Sequence, residues 1–329
     1  MSCCDPWLLS RLICPWDGMP VEDRGDELRC GCGRAFRVID GIPIMLRDDV
    51  EQTHGIAAET LRIARGEKPD PPTEAALAGA ADAPDPFVQR EIGATGGYLY
   101  QPLVGRLTSY PIPRLRLPPG EGKTLLDIGS NWGRWSIAAA RLGYRPIGID
   151  PSIQALRAAA RVARTLGVVA HYVVADARFI PLKQRTVDAV FSYSVLQHLS
   201  KEHVRRVLGE VRRVIRGPGT VLIQMPNQFG VRCLYHQARR SFRAARDFEV
   251  RYWTPRELVS VFTRLLGPTM VSVDGFFSLN PQVSDLELLP RRYRAIVRSS
   301  EALRRASEQL PFLRYAADSL YVSSQAAAP

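Results

Sequence analysis

The sequence predicts an α/β chain: a doubly wound, mostly parallel seven-stranded sheet with a small β-rich ribbon domain at its amino end. Three observations carry this. From residue 123 onward short apolar runs alternate with segments of helical periodicity, which in one chain implies parallel strands buried on both faces by crossover helices. The first run, TLLDI, breaks at once into the glycine-bearing loop GSNWG. Five of the six cysteines fall within the first 32 residues, around a short hairpin pattern.

In chain order, LLSRLICPWDG and ELRCGCGRAFRVIDGIPIML make one compact unit, with Phe36, Val38, Ile42 and Ile44 alternating about an Asp40-Gly41 turn. A short helix is expected over 56–65, and the passage GEKPDPPTEAALAGAADAPDP is too poor in apolar residues to pack, so it reads as a linker. In the main domain TLLDI, PIGI, HYVVA, VDAVFS and TVLIQM are strands. Trp135–Leu142 opens a helix, and Ile153, Leu156, Ala160 and Ala163 mark the face of the next. Ser200 caps a third, with Val204, Val207, Leu208, Val211 and Ile215 inward. Thr254-Pro255 starts another helix. TMVSV and SLYVSS are the last strands, separated by a basic helical insertion over 283–315. The expected divisions are 1–50, 51–95, 96–280 and 281–329.

The formal charge is +11, nearly all from arginine, and suits an anionic small molecule, a membrane surface or nucleic acid. No apolar run is long enough to span a bilayer and no secretory signal opens the chain, so a cytoplasmic protein with reduced cysteines is expected. Oligomeric state is not readable.

In a doubly wound sheet the ligand sits beyond the carboxyl ends of the strands, where strand order reverses. The loop after TLLDI is that place. It lacks the G-x-G-x-x-G spacing of dinucleotide sites. Instead Asp127, Gly129, Asn131 and Gly133 follow the D-x-G-x-G-x-G register, with Asn131, a residue tolerant of positive φ, in place of the middle glycine. Here the chain resembles the class I S-adenosylmethionine-dependent methyltransferases, of the type 11-like group, over roughly 96–275.

The resemblance implies S-adenosylmethionine as cofactor. It implies that Ser130 lies in the glycine loop, that Asp150 of GIDPS, with Pro151, accepts the ribose hydroxyls, and that Asp176 and Ala177 meet the adenine. The segment FSYSVLQHL, with Ser192, Tyr193 and His198, would line the transfer site. His198 and Tyr193 are the candidate catalytic side chains; Tyr98 and Tyr100 would lie over the methionine end. A helix cap for Asp150, a turn for Asp176 and simple packing for His198 and the tyrosines are the structural alternatives. Trp135 reads as core and Trp132 as an edge of the pocket. His54, His171 and His203 look incidental, and His236 reads as a surface residue. Arg239, Arg240, Arg243 and Arg246 lie where an anionic acceptor would be covered.

CPWDG and CGRAFRVIDGIPIML resemble the Trm112-like zinc-ribbon family. The resemblance implies a zinc site at Cys14, Asp17, Cys30 and Cys32, with Asp17 standing for a cysteine and the second pair one residue tighter; a ribbon held by its apolar core alone is the alternative. Together these features imply methyl transfer to an oxygen or nitrogen of a small-molecule or glycan-type acceptor. An RNA (tRNA) methyltransferase and a non-catalytic scaffold that kept the fold are the rival readings.

Overall fold

The computed structural model describes residues 3–70, 83–277, 280 and 282–326; the middle of the expected linker, 71–82, lies outside them. The chain opens with α1 (Pro6–Leu9), whose first N–H groups are taken up by the Asp5 carboxylate at 2.8 and 3.1 Å. A four-stranded antiparallel sheet follows: β1 (Val21–Asp23), β2 (Glu27–Cys30), β3 (Ala35–Ile39) and β4 (Ile42–Pro43), in that order. The turn joining β3 to β4 needs two positive φ angles, and Asp40 (50°) with Gly41 (78°) supplies them.

Next come α2 (Gly55–Ala64) and α3 (Pro86–Gly96). The end of the expected linker is thus helical: Asp85 caps α3 ahead of Pro86, and Phe87, Val88 and Ile92 are buried.

The main sheet is built from β5 (Thr124–Ile128), β6 (Arg145–Asp150), β7 (His171–Val174), β8 (Val187–Ser192), β9 (Ile215–Pro226), β10 (Thr269–Gly275) and β11 (Ser319–Ala326). Between these strands run α4 (Arg134–Arg141), α5 (Ile153–Thr165), α6 (Lys201–Val214), α7 (Val231–Arg239), α8 (Pro255–Leu265) and α9 (Arg291–Gln309). Strand order is β10-β11-β9-β8-β5-β6-β7. Strands β5 to β9 pair in parallel, and β11 is antiparallel to both neighbours. The seven-stranded, mostly parallel sheet expected from the sequence is therefore the one that forms, and its order reverses at β5. That reversal opens a crevice above β5 and β6.

Local signals act as expected at two helix starts. The Ser200 hydroxyl accepts from the His203 N–H at 3.1 Å, and Thr254 with Glu257 forms a reciprocal capping box. One boundary differs. The fifth strand begins at Ile215, expected on the inward face of the helix, because that residue turns extended (φ −78°, ψ 141°) straight after α6 and pairs with Val187, so Gly217 and Gly219 lie inside the strand ahead of the TVLIQM run.

The amino-terminal sheet is fused to the main one. Ile44 pairs in parallel with Val174 of the edge strand β7, the Met45 N–H donates to the Val174 carbonyl at 2.8 Å, and Leu12 bridges to Leu182. Leu8, Leu12, Leu28, Phe36 and Met45 belong to the same buried cluster as Ile147, Val173 and Leu182.

Because Leu12 is wholly buried at this junction, Leu12→Ala is expected to lose about 2–5 kcal/mol of stability. Calorimetry should show one shifted unfolding transition. Two resolved transitions, with only one displaced, would mean that the ribbon and the main domain unfold independently.

Candidate active site and metal cluster

The loop that leaves β5 is fixed by the strand beside it. The N–H groups of Gly129 and Ser130 both donate to the Ile149 carbonyl, at 2.8 and 3.0 Å, and the Asn131 N–H donates to Asp150 Oδ2 at 3.1 Å. Gly129 (φ 74°), Asn131 (46°) and Gly133 (81°) all lie in the left-handed region. A Cβ on Gly129 would stand 2.2 Å from the Val195 side chain, and one on Gly133 would stand 2.6 Å from Tyr172 Oη. Glycine is required at both positions for fit as well as for conformation.

Above this loop is a cavity of about 680 Å³, within the usual range for small-molecule sites. Gly129, Ser130, Asn131, Asp150, Pro151, Asp176, Ala177, Tyr193 and His198 all line it. Gly133 is not among the cavity residues; its N–H closes the turn by donating to the Ser130 carbonyl at 2.8 Å. Asp127 lies below the loop, where its carboxylate accepts from Ser136 Oγ at 2.7 Å. Ser192 is placed differently: it is buried in β8, its hydroxyl donates to the Ile128 carbonyl at 3.0 Å, and it is not among the cavity residues.

Asp150 keeps acceptor capacity. Each of its oxygens takes one N–H, from Ser152 at 2.9 Å and from Asn131 at 3.1 Å, which leaves a lone pair on each for a ligand donor. Burial pushes its carboxyl up to about 6, against the two N–H bonds, which pull it down. Asp176 is more occupied, because Arg178 binds it through Nε and Nη2 (2.9 and 2.6 Å to Oδ2) and through its own N–H (2.8 Å to Oδ1).

Four buried polar side-chain atoms without a hydrogen-bond partner among the described residues belong to this cavity's wall: Ser130 Oγ, Arg134 Nε, Gln197 Oε1 and Asn280 Oδ1. Buried polar groups are normally satisfied. Their gathering in one cavity fits a polar ligand.

On the far wall the His198 ring stacks flat on Phe248, 3.8 Å between centroids, and its Nδ1 lies 2.6 Å from the Phe248 carbonyl. A carbonyl only accepts, so Nδ1 carries the proton and Nε2 the lone pair, which accepts from Gln197 Nε2 at 3.2 Å. Burial holds the imidazole down at about 4, outweighing the carbonyl bond, so it is neutral near pH 7. The Tyr193 hydroxyl donates to Asp274 Oδ2 at 2.6 Å and accepts from Gln282 Nε2 at 2.9 Å; burial, then the Asp274 charge, raises its pKa well above the usual 10.0.

Several expectations meet a different placement. Tyr98 and Tyr100 do not line the cavity, and Tyr100 is buried against Asp285; α3 contributes Glu91, Ala94 and Thr95 instead. Both Trp132 and Trp135 border the cavity while remaining almost fully buried. His54, read as incidental, caps α2 through Nδ1 (3.0 Å to the Ile56 N–H) and forms part of the wall. None of Arg239, Arg240, Arg243 and Arg246 lines it, and Arg243 is tied to Glu249 at 2.6 Å. The arginine that does is Arg134, first residue of α4, whose Nη2 reaches Asp285 at 2.9 Å. A cation at a helix N-terminus opposes the dipole, and that misfit was the available signal for it.

At the ribbon, single ligand atoms of Cys14, Asp17, Cys30 and Cys32 all lie within 4.8 Å of one another. Cys14 Sγ is 3.9 Å from Cys32 Sγ, and Cys30 Sγ is 3.3 Å from an Asp17 oxygen.

Residues 125–219 match a family model described as a methyltransferase domain. The ubiquinone biosynthesis O-methyltransferase of Rhizobium etli is 28% identical over 110 residues, covering 33% of this chain and 44% of that protein. The protein of the same name from Methylocella silvestris is 34% identical over 107 residues, 32% of this chain and 40% of its own length. The chain thus spans less than half the length of these curated relatives. Among solved structures, a SAM-dependent methyltransferase from Methanosarcina mazei aligns over 65% of this chain and 100% of its own, at 18% identity and a TM-score of 0.46.

Burial, with the Ser136 bond opposing it and the Asp150 charge adding to it, pushes the Asp127 carboxyl from 3.8 up to about 7. A carboxyl whose pKa is raised by folding stabilises the fold fully below its unfolded value, and that contribution is lost as pH rises through the folded value. Asp127→Asn is neutral at every pH and its amide oxygen still accepts from Ser136. It is expected to flatten the fall in stability between about pH 4 and pH 7, measured by urea titration. A fall as steep as in the parent chain would show that Asp127 is ionised throughout.

Proposed function

We propose that this protein is an S-adenosylmethionine-dependent methyltransferase acting on an oxygen or nitrogen of a small-molecule or glycan-type acceptor. One observation carries the reading: the cavity over the β5 loop combines a glycine turn that admits no Cβ, a buried carboxylate at Asp150 with one open lone pair on each oxygen, and unsatisfied polar atoms on several sides. A carboxylate so placed suits a ribose diol. The β5 loop suits close approach of the methionyl chain, with Ser130 Oγ as a polar contact, and Ala177 lies beside the Asp176–Arg178 pair, where adenine would lie.

The cofactor would supply an electrophilic sulfonium methyl. The protein's part is then to align the acceptor and exclude water. Trp135, Tyr193, His198 and Phe248 form the wall available to the acceptor. The relatives' names specify an oxygen acceptor, which favours a hydroxyl here. As the new O–C bond forms, the hydroxyl proton becomes far more acidic than an imidazolium, so His198 Nε2, weakly basic as it is, can take it up late in the transfer once the acceptor hydroxyl displaces the Gln197 amide that donates to it. Tyr193, held by Asp274, keeps its own proton and bounds the acceptor space.

S-Adenosylhomocysteine at saturating concentration is expected to raise the melting temperature by several degrees, as ligand linkage requires, and Asp150→Ala is expected to abolish the shift. Affinity should be full above the Asp150 value of about 6 and weaken as pH falls through it. No thermal response at saturation would end the methyltransferase reading. Labelled methyl donor given with a cell extract separates the acceptors: label in small metabolites is expected, and label confined to RNA would transfer the assignment to an RNA enzyme.

We further assign the Cys14, Asp17, Cys30 and Cys32 cluster to zinc. Zinc–sulfur bonds of about 2.3 Å put neighbouring tetrahedral sulfurs about 3.8 Å apart, close to the 3.9 Å between Cys14 and Cys32. Elemental analysis of the purified chain should find about one zinc per molecule, lost in Cys30→Ala. A metal-free parent chain would leave the ribbon resting on its apolar core.

A further inference from the structure

Helix α7 is amphipathic in the opposite sense to an ordinary surface helix. Its inward face carries only Cys233 and Gln237, one turn apart and both buried: Cys233 Sγ donates to the Asp318 carbonyl at 3.6 Å and Gln237 Nε2 donates to the Gln228 carbonyl at 2.8 Å. Its apolar stripe faces out, with Val231 56%, Leu234 40% and Tyr235 56% exposed. The 3-10 turn Pro311–Tyr315 abuts the start of this helix, where the Val231 N–H donates to the Ala316 carbonyl at 3.3 Å and Asn227 Nδ2 donates to the Tyr315 carbonyl at 2.9 Å. That turn adds Phe312, 65% exposed.

The charge around this surface is one-sided. From Phe229 to Arg246 the chain has five arginines and no acidic residue. Arg240 and Arg243 share Glu249, whereas Arg232 and Arg239 have no ion pair among the described residues. The Arg232 guanidinium lies 3.8 Å from the Tyr98 ring centroid.

We propose that α7 and the adjoining Phe312 turn form a docking surface for an anionic lipid bilayer, with the helix lying in the plane of the interface. An apolar stripe bordered by arginines is the pattern that places aliphatic and aromatic side chains among the acyl chains and guanidiniums among the phosphates. A second copy of the chain fits this surface poorly, since two arginine-bordered faces would repel. Single-stranded RNA would use the arginines and the rings of Tyr235 and Phe312 but leave the aliphatic Val231 and Leu234 in water, whereas a bilayer buries all four apolar side chains. Among the described residues no helix is long and apolar enough to cross a membrane, so the contact is peripheral. The loop after α7 carries Phe248 into the cavity wall, so the docking helix is joined through one loop to the acceptor side of the cavity. A lipid-borne hydroxyl acceptor follows only if the methyltransferase reading holds; the docking itself does not depend on it.

The test is sedimentation of the full chain with phosphatidylcholine vesicles, with and without phosphatidylglycerol. Binding is expected only with the anionic lipid, weakened by salt, and lowered about tenfold or more in Leu234→Asp/Tyr235→Asp. Both side chains are exposed, so that variant should melt at the parent temperature and still respond to S-adenosylhomocysteine. Arg232→Glu/Arg239→Glu provides a second variant with the same expected loss. Equal binding by parent and variants, or none to anionic vesicles, would overturn the proposal. So would self-association at this face in sedimentation velocity, or retention of an unstructured RNA in preference to vesicles. Loss of the thermal response to S-adenosylhomocysteine with vesicle binding intact would count against the methyltransferase reading alone.

Discussion

The candidate site depends on one carbonyl. Ile149 O, near the end of β6, accepts both Gly129 N–H and Ser130 N–H, so the loop leaving β5 is tied to the neighbouring strand before it turns into α4. With Asn131 donating to Asp150, the same few atoms fix the loop and aim the carboxylate. Asp150 is therefore placed by backbone geometry, and a buried carboxylate at the end of a parallel strand keeps its open lone pairs directed into the crevice. Burial is the first cause of the raised values of both Asp127 and Asp150, and the Asp150 charge raises Asp127 further.

Elements dominated by local signals were legible in the sequence. β8 occupies the same residues as the predicted VDAVFS run, Ser200 and Thr254 cap the helices they were expected to cap, and Asn131 takes the positive φ that its type allows. What escaped is the pairing of groups far apart in the chain. Arg134 and Tyr100 both meet Asp285, and Tyr193 and Ser319 share Asp274. Nothing in the local pattern around Asp274 or Asp285 distinguishes either from a solvated surface acid. Only the return of the chain after β9 brings them under the cavity. The same holds for His54, whose role depends on how the ribbon docks.

That docking changes the meaning of the amino-terminal unit. An exposed edge strand is a liability, and β7 is the edge of the main sheet. Ile44 and Met45 cover it by continuing the ladder, and the segment that follows brings Leu46, Thr53, His54, Ile56 and Ala57 into the cavity wall. The cysteine cluster lies on the other side of this sheet, where Cys14 and Cys30 are buried in the core shared with β6 and β7. A metal there would brace the piece of chain that closes one side of the cavity.

The two ends of the cavity are thus held by different means. The β5–β6 side is fixed by parallel-strand hydrogen bonds and by glycines that tolerate no Cβ, which leaves little room for movement. The opposite side rests on His198, in the turn after β8, and on Phe248, in a loop with positive φ at Ser241, Phe242 and Asp247 that is tied down by Arg251, through its N–H to the Gln197 carbonyl and its Nη1 to the His198 carbonyl, and by ion pairs to Glu249. Exposed ion pairs hold weakly. A site built this way has a rigid wall where a common ligand would bind and an adaptable wall where the acceptor would enter. Helix α7 runs directly into the loop that carries Phe248, so whatever orders the helix also bears on the part of the site least constrained by the sheet.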